Sequence, residues 1–554
     1  MAAMSDNSDD NNVIEFNADD MRKKVEDRVR RESDQRKKDK NGSENEDSKR
    51  GSGSGDGGLP SNFVGACLRT NQLGDGEMFK ALHRGRFVFC KNMQTWLKWD
   101  AHHWVEDTMD DAMACVDDVA DAYENEAKEL RMRSVKADEQ QQKYLLASAK
   151  AMVERARMLR GDARRQSCLK FSHTSKDPMA VSGTEIDANP WLLGVKNGVI
   201  ELKTGRCRDG RPDDWILKAS PIEWQGIEAK CPKWEKAVLE IMAGDQDMVN
   251  FLQRLFGYSI CGKVVEKIFP VFIGPGGDNG KTVLVETVSY VLGQLGGPIA
   301  SEMLTSTYQR SPSGIDTDTV ALKGLRFAYA SETEDKAKVS AARVKRMTGN
   351  DTLEARSPYD KRSIQFEPSH TQYLLSNYKL RADSEDNAFW NRVLYIPFTM
   401  KFVRDREPAA ENELKADPHL DVALREEAPG ILAWLVRGFL MWQKNGLCVP
   451  AKVLEESKRT REDLDYFGLY LDECFYPDDN DQIGMTSSEL YYHFESWYHK
   501  NIGRYAPKIK TFGSYMKKRY EGKKTNGVMR YFGLEKNYKA LANYDPDEKL
   551  DKWA

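Results

Sequence analysis

The sequence lacks any apolar run approaching the roughly 20 residues of a membrane-spanning helix, so no membrane partner is expected. Its start, MAAMSDNSDD, lacks the basic cluster and apolar stretch of a secretory signal, which points to a cytosolic protein. Paired cysteines are also missing. The nine present, at 67, 90, 115, 168, 207, 231, 261, 448 and 474, form no CxxC and have no histidine at ligand spacing. That excludes a disulfide framework and a zinc cluster and predicts buried or reduced thiols. Charge of one sign is absent too: 83 basic residues face 87 acidic ones, so a nucleic-acid surface must come from local segregation.

What remains is a chain of 554 residues, too long for one core, since single cores stop growing at roughly 250 to 300 residues. Residues 1–60 combine acidic blocks, a mixed charged run and the linker GSGSGDGG, and read as a disordered charged tail. An aromatic-rich strand pattern follows, with Trp96, Trp99 and Trp104 around a turn at Asp100-Ala101-His102. These tryptophans suit either stacking on bases or packing on a sheet, and packing is favoured. His102 and His103 read as exposed loop residues. A long helical stretch is predicted over 110–165, then a hairpin about Asn197-Gly198.

The stretch KIFPVFIGPGGDNGKTVLVETVSYVLG reads as strand, glycine-rich loop and helix. Backbone N–H groups of such a loop and the positive end of the next helix surround a polyphosphate. Lys281 then reaches the terminal phosphates and Thr282 ligates Mg²⁺, which makes ATP and Mg²⁺ the expected cofactors. The contacting set is Gly274, Gly276, Gly277, Asp278, Asn279, Gly280, Lys281, Thr282 and Val283. Gly274 lies six residues before Gly280, one more than GxxxxGK[ST] allows, and Pro270 removes a donor from the presumed strand.

Downstream order separates a motor from a kinase. The apolar run 325–330 precedes Glu332, expected to orient water or Mg²⁺, with Glu334 and Asp335 in reserve. TQYLLSNYKL ends a strand at Asn377, suited to hold the attacking water. NAFWNRVLYIPF offers Arg392, either an arginine finger for a neighbouring subunit or a structural salt bridge. Between them lies a basic hairpin-like excursion with Arg356 on the approach and Lys361 and Arg362 at its tip, where grip on a DNA backbone and solvated surface charge are evenly matched.

In combination, WLKWDAHHW, NPWLLGVKNGVIELKTG, GDNGKT, ASETED, VKRMTGNDTLEAR, LLSN and FWNRVLYIPF resemble the helicase region of phage and plasmid primase-helicases. That region lies in the superfamily 3 branch of the AAA+ ATPases, which includes the poxvirus primase-helicase, and the resemblance covers roughly 80–465. It implies nucleotide binding by Asn279, Gly280, Lys281 and Thr282, an acidic role at Glu332, a sensor at Asn377 and a finger at Arg392. It further implies a hexameric ring moving on single-stranded DNA with the 351–366 hairpin facing the channel. The usual loop in this family is one residue shorter. The first 80 residues are too short and polar for a primase domain, so a separate primase or polymerase partner is expected. A phage- or virus-encoded chain would work in the host cytoplasm.

The C-terminal stretch reads helix, helix, basic wing, and resembles a winged-helix domain. Lys508, Lys510, Lys517, Lys518, Arg519, Lys523, Lys524 and Arg530 share about two dozen residues with one acid, Glu521. Of these, Lys517, Lys518, Arg519, Lys523 and Lys524 are the expected DNA contacts. A basic face on a structural domain is the lesser reading.

The expected fold class is α/β: an AAA+ P-loop core with a parallel sheet over 266–400, preceded by a mixed α+β N-terminal domain at 61–220 and a helical collar at 221–265. A helical lid at 401–464 and a winged-helix-like domain at 465–554 follow. The expected function is an ATP-dependent replicative DNA helicase acting on single-stranded and forked DNA. Two rivals stand beside it: a loading or packaging motor that never separates strands, and a nucleotide-regulated initiator or scaffold that binds origin DNA.

Overall fold

The computed structural model describes residues 59–305, 316–331, 339–356, 363–380, 382, 385–478, 483–541 and 544. Of the expected tail, only the last two residues fall within this range. The chain divides into two compact units, Met1–Ala188 with Gly210–Leu217, and Asn189–Asp209 with Lys218–Ala554. Among the described residues no helix is long and apolar enough to cross a membrane.

In the smaller unit, Thr95–Asp100 pairs antiparallel with His103–Glu106 through a turn in which Ala101 takes φ 55°, matching the hairpin read from sequence. The tryptophans pack: Trp104 is buried, stacks on Trp215 with centroids 5.7 Å apart and meets Trp99 edge-on at 5.3 Å. His102 and His103 are half-buried rather than exposed. Nδ1 of His102 accepts the Gly210 N–H at 3.2 Å, while burial lowers the pKa of His103.

The helical stretch over 110–165 is broken into Asp111–Ala114, Val116–Ser134, Glu139–Leu159 and the start of Asp162–Thr174. Folding back lets Val119, Tyr123 and Ala127 share one core with Ala149, Met152 and Ala156. Asp138 caps the return helix by accepting the Gln141 N–H.

In the larger unit, five strands form the central sheet: β1 (Phe269–Ile273), β2 (Gly296–Pro298), β3 (Phe327–Ser331), β4 (Thr371–Ser376) and β5 (Val393–Pro397). All pairings are parallel, in the order β5-β1-β4-β3-β2. Alternation along each strand feeds two cores. Phe272, Phe327, Tyr373, Leu375 and Ile396 enter one, and Phe269, Val271, Ala328, Leu374 and Tyr395 the other. Coverage of both faces explains why these strands are so uniformly apolar. Pro270 is accommodated because pairing with β4 begins only at Val271.

Residues 189–209 lie in the larger unit and 210–217 in the smaller one. The meander Leu192–Val195, Gly198–Glu201 and Arg206–Arg208 belongs with the larger unit, because Leu193, Val195, Ile200 and Leu202 bury in the same core as Phe256 and Trp434. Helices Gln246–Ser259 and Ala428–Asn445, read as separate collar and lid segments, share that core.

Farther along the same unit, Tyr466–Cys474, Ser487–Asn501 and Ile509–Arg519 form helices around a core of Phe467, Phe494, Trp497 and Phe512. A hairpin of Gly522–Thr525 and Val528–Tyr531 follows, and Met485–Thr486 adds a third strand. This hairpin lies where the sequence reads as a basic wing. Lys523 and Lys524 lie on its first strand, and its turn is Asn526-Gly527, both with positive φ, the pair that favours a tight hairpin.

Candidate functional site: the loop after the first parallel strand

The loop between β1 and the helix α1 (Lys281–Leu292) sits at the carboxyl ends of β1 and β4. The chain leaves β1 for the far edge at β2 and later returns past it to β5, so β1 marks a switch in strand order. Open α/β sheets form ligand crevices at such points.

Two glycines are required by geometry. At Gly274 a Cβ would meet the Phe398 carbonyl oxygen at 2.5 Å and Asn279 Nδ2 at 2.7 Å. Gly280 takes φ 83° immediately before α1, and a Cβ there would meet the Ile241 side chain at 2.6 Å. Asn279 is buried, and its amide donates to the Gly276 carbonyl at 3.3 Å.

A cavity of about 470 Å³ opens above the loop, lined by residues 276–283 with Glu286, Ser331, Leu375, Ser376, Asn377 and Arg404. Lys281 is 6% exposed and its Nζ donates to the Gly274 carbonyl at 3.2 Å and to Asn377 Oδ1 at 2.9 Å. Burial pushes the Lys281 ammonium down to about 8. A buried cation beside backbone donors at a helix start is suited to an anion that carries several charges. Thr282 and Glu286, one helical turn apart on α1, are exposed to this cavity and supply oxygen donors of the kind a hard divalent cation takes.

The fold therefore brings together Gly276, Gly277, Asp278, Asn279, Gly280, Lys281, Thr282, Val283 and Asn377, all selected from sequence. Gly274 stands just outside the lining, bonded to Lys281. Glu332, Glu334 and Asp335 lie outside the described residues; Ser331, which precedes Glu332, ends β3 and lines the cavity.

Arg392 is not among the cavity-lining residues of its own chain. It precedes β5 at the amino edge of the sheet, where its carbonyl accepts the Phe269 N–H and its guanidinium donates to the Ala388 carbonyl. Arg404 and Glu286 were missed by the sequence reading. Arg404 bears no motif; it follows strand Lys401–Val403, which pairs with Glu413–Lys415, and lines the cavity.

The basic excursion is a hairpin: Leu353–Ala355 pairs antiparallel with Ile364–Phe366. Arg356 directly follows its first strand, and Lys361 and Arg362 lie outside the described residues. In the C-terminal module, Lys517 and Lys524 are exposed. Lys518 and Arg519 differ from the expected open basic face, because Glu385 draws them in at 2.9 and 2.7 Å. Arg519 also lies over the Tyr515 ring at 3.8 Å and 3.5 Å from Asp465, and Lys523 pairs with Glu521.

No ligand spacing was visible around the cysteines, yet the smaller unit brings His83, Cys115 and Asp118 together, with His83 Nε2 3.4 Å from Asp118 Oδ2. Burial raises the Cys115 thiol above its ordinary range, and Arg86 stands close enough to oppose that shift. A protonated thiol beside a guanidinium is a poor cation ligand.

The architecture is that of a mixed α/β chain with a cavity at the carboxyl ends of its parallel sheet. Residues 76–243 match the family described as "D5 N terminal like". The chain is 25% identical over 456 residues to a provisionally named helicase of Acanthamoeba polyphaga mimivirus, covering 79% of this chain and 47% of that protein. It is 24% identical over 339 residues to a provisionally named primase of African swine fever virus, covering 57% of this chain and 34% of that protein. The chain thus spans less than half the length of these two curated relatives. The apo structure of the NrS-1 C terminal region aligns with a TM-score of 0.37 and 12% identity, over 67% of this chain and 89% of that one. The matches to viral helicases and primases support the resemblance to superfamily 3 primase-helicases read from the motifs.

Proposed function

We propose that this chain is the ATPase of a replicative DNA helicase: an AAA+ P-loop motor of the superfamily 3 kind that forms a homohexameric ring on single-stranded DNA and opens forked duplex. The observation that carries this reading is the Lys281–Asn377 bond inside the cavity, because it joins a phosphate-binding lysine to a polar amide at the end of a different strand. A kinase-like loop needs only the first of these. A hydrolase also needs a group to hold water in line, and the Asn377 amide, bonded through Oδ1 to the Lys281 ammonium, supports that role.

In this reading the N–H groups of 276–282 cradle the polyphosphate, Lys281 neutralises its terminal oxygens, and Asn377 orients water that Glu332 polarises. Mg²⁺, when bound through Thr282 and Glu332, would offset charge on the terminal phosphates. Arg392 is separated from the loop by the five residues of β1, roughly 15 Å of strand. That separation supports action on a neighbouring subunit's nucleotide. The hairpin at 353–366 supplies Arg356, Lys361 and Arg362 toward single-stranded DNA, and the C-terminal module, read as a winged helix, offers Lys517 and Lys524 to duplex phosphates.

The test pairs DNA-stimulated ATP hydrolysis with strand separation on a forked duplex. Both activities are expected. Hydrolysis without separation would favour a loading or packaging motor, and DNA binding with neither activity would favour an initiator or scaffold.

A further inference from the structure

The loop carries one residue more than GxxxxGK[ST], and the structure gives Asp278 a distinct task. Asp278 takes φ 56°, a left-handed conformation uncommon for a non-glycine residue. Its carbonyl accepts the Phe402 N–H at 2.7 Å, and its carboxylate lies 3.3 Å from Arg404 Nη2. The first contact reaches the strand Lys401–Val403 and the second the residue that follows it, so the loop is tied at Asp278 to a segment more than 120 residues away in sequence.

That segment is itself braced. Arg406 grips both carboxylate oxygens of Glu413, and the forked bond holds the Glu413 carboxyl down to about 2. Arg404 therefore extends from a fixed strand end into the cavity.

The charges of the described lining residues then matter. Lys281 and Arg404 oppose Asp278 and Glu286, two cations against two carboxylates, so the cavity is neutral overall. A carboxylate within a polyphosphate cradle repels its ligand unless a cation masks it. Arg404 does this at 3.3 Å while keeping 74% of its side chain exposed, and its planar fork suits phosphate oxygens as well as a carboxylate.

We propose that Arg404 is a phosphate-contacting residue of this cavity, held by Asp278 until a nucleoside polyphosphate takes over its guanidinium. This rests on the nucleotide reading above. Asp278 competes with the ligand for Arg404, so the two residues act with opposite sign: removing Arg404 weakens binding, and neutralising Asp278 strengthens it.

The experiment measures equilibrium binding of a fluorescent N-methylanthraniloyl ATP with Mg²⁺ to the full chain, its Arg404→Ala and Asp278→Asn variants, and Lys281→Ala. A charge-assisted bond to phosphate is worth roughly tenfold or more in affinity. Arg404→Ala is expected to bind about tenfold more weakly and Asp278→Asn two- to fivefold more tightly, with a smaller effect of Asp278→Asn when Arg404 is already alanine. Unchanged folding of the exposed-site variants is checked by thermal melting. If wild type binds, Lys281→Ala does not, and Arg404→Ala matches wild type, the inference is overturned while the nucleotide site stands. If Arg404→Ala is weak but Asp278→Asn is equally weak, the competition is overturned. No binding by wild type overturns the nucleotide reading itself, and the inference with it.

Discussion

The ammonium of Lys281 donates to Oδ1 of Asn377 across 2.9 Å, linking the first turn of α1 to the end of β4. The two residues are 96 positions apart in sequence, and the fold makes them one unit. Asn377→Ala removes this acceptor and leaves the lysine held only by the Gly274 carbonyl. Hydrolysis is expected to fall by roughly 10- to 100-fold, the worth of one charge-assisted bond at a reacting centre, with nucleotide affinity changed less than threefold. Steady-state ATPase rates beside equilibrium binding check the split.

Burial of Lys281 gives binding a pH dependence. In the folded chain its ammonium loses its proton at about 8 instead of 10.5, so the group costs stability below about 8 and the cost is relieved as pH rises toward 10.5. A bound polyphosphate restores the charged form. Nucleotide binding above about pH 8 is therefore expected to take up a fraction of a proton, and affinity to fall as pH rises through that range. Calorimetry at about pH 8.5 in two buffers of different ionisation enthalpy reads the uptake, and Lys281→Met should abolish it.

Arg392 stands at the opposite edge of the sheet from the loop. Arg392→Ala is expected to bind nucleotide normally but to lose hydrolysis by roughly 10³-fold. Mixed with Lys281→Ala subunits, it should regain part of the activity, since each variant supplies what its neighbour lacks. No recovery on mixing would assign Arg392 to a structural role within its own subunit.

Glu385 pairs with Lys518 and Arg519, and Arg519 also meets Asp465 at 3.5 Å. Glu385→Gln is expected to release Lys518 and to leave Arg519 only its Asp465 contact, tightening duplex binding several-fold with a salt dependence steeper by about one charge. Fluorescence anisotropy of a labelled duplex across a salt series tests this. An unchanged slope would mean that these two residues do not meet DNA.

Much of this site was legible from local chemistry. Gly280-Lys281-Thr282 at a helix start, the apolar strand ending in Asn377, and the 353–366 hairpin each carry their signal within a dozen residues. What was hidden depends on pairings across the fold. Arg404 has no motif and joins the cavity through the Lys401–Val403 strand. The breaks in the 110–165 helical stretch follow from burial against partners elsewhere in the unit, because its Ala- and Glu-rich composition carries little stop signal. The basic stripe near 517–524 reads as open charge until Glu385 and Asp465, over a hundred and about fifty residues earlier, are seen to meet it.

The most direct test of the account is ATP turnover with and without single-stranded DNA, measured for the wild-type chain and for Lys281→Ala. The account predicts DNA-stimulated hydrolysis in the wild type and a loss of at least roughly 10²-fold in the variant, with DNA binding retained. Hydrolysis that persists undiminished in Lys281→Ala would contradict it.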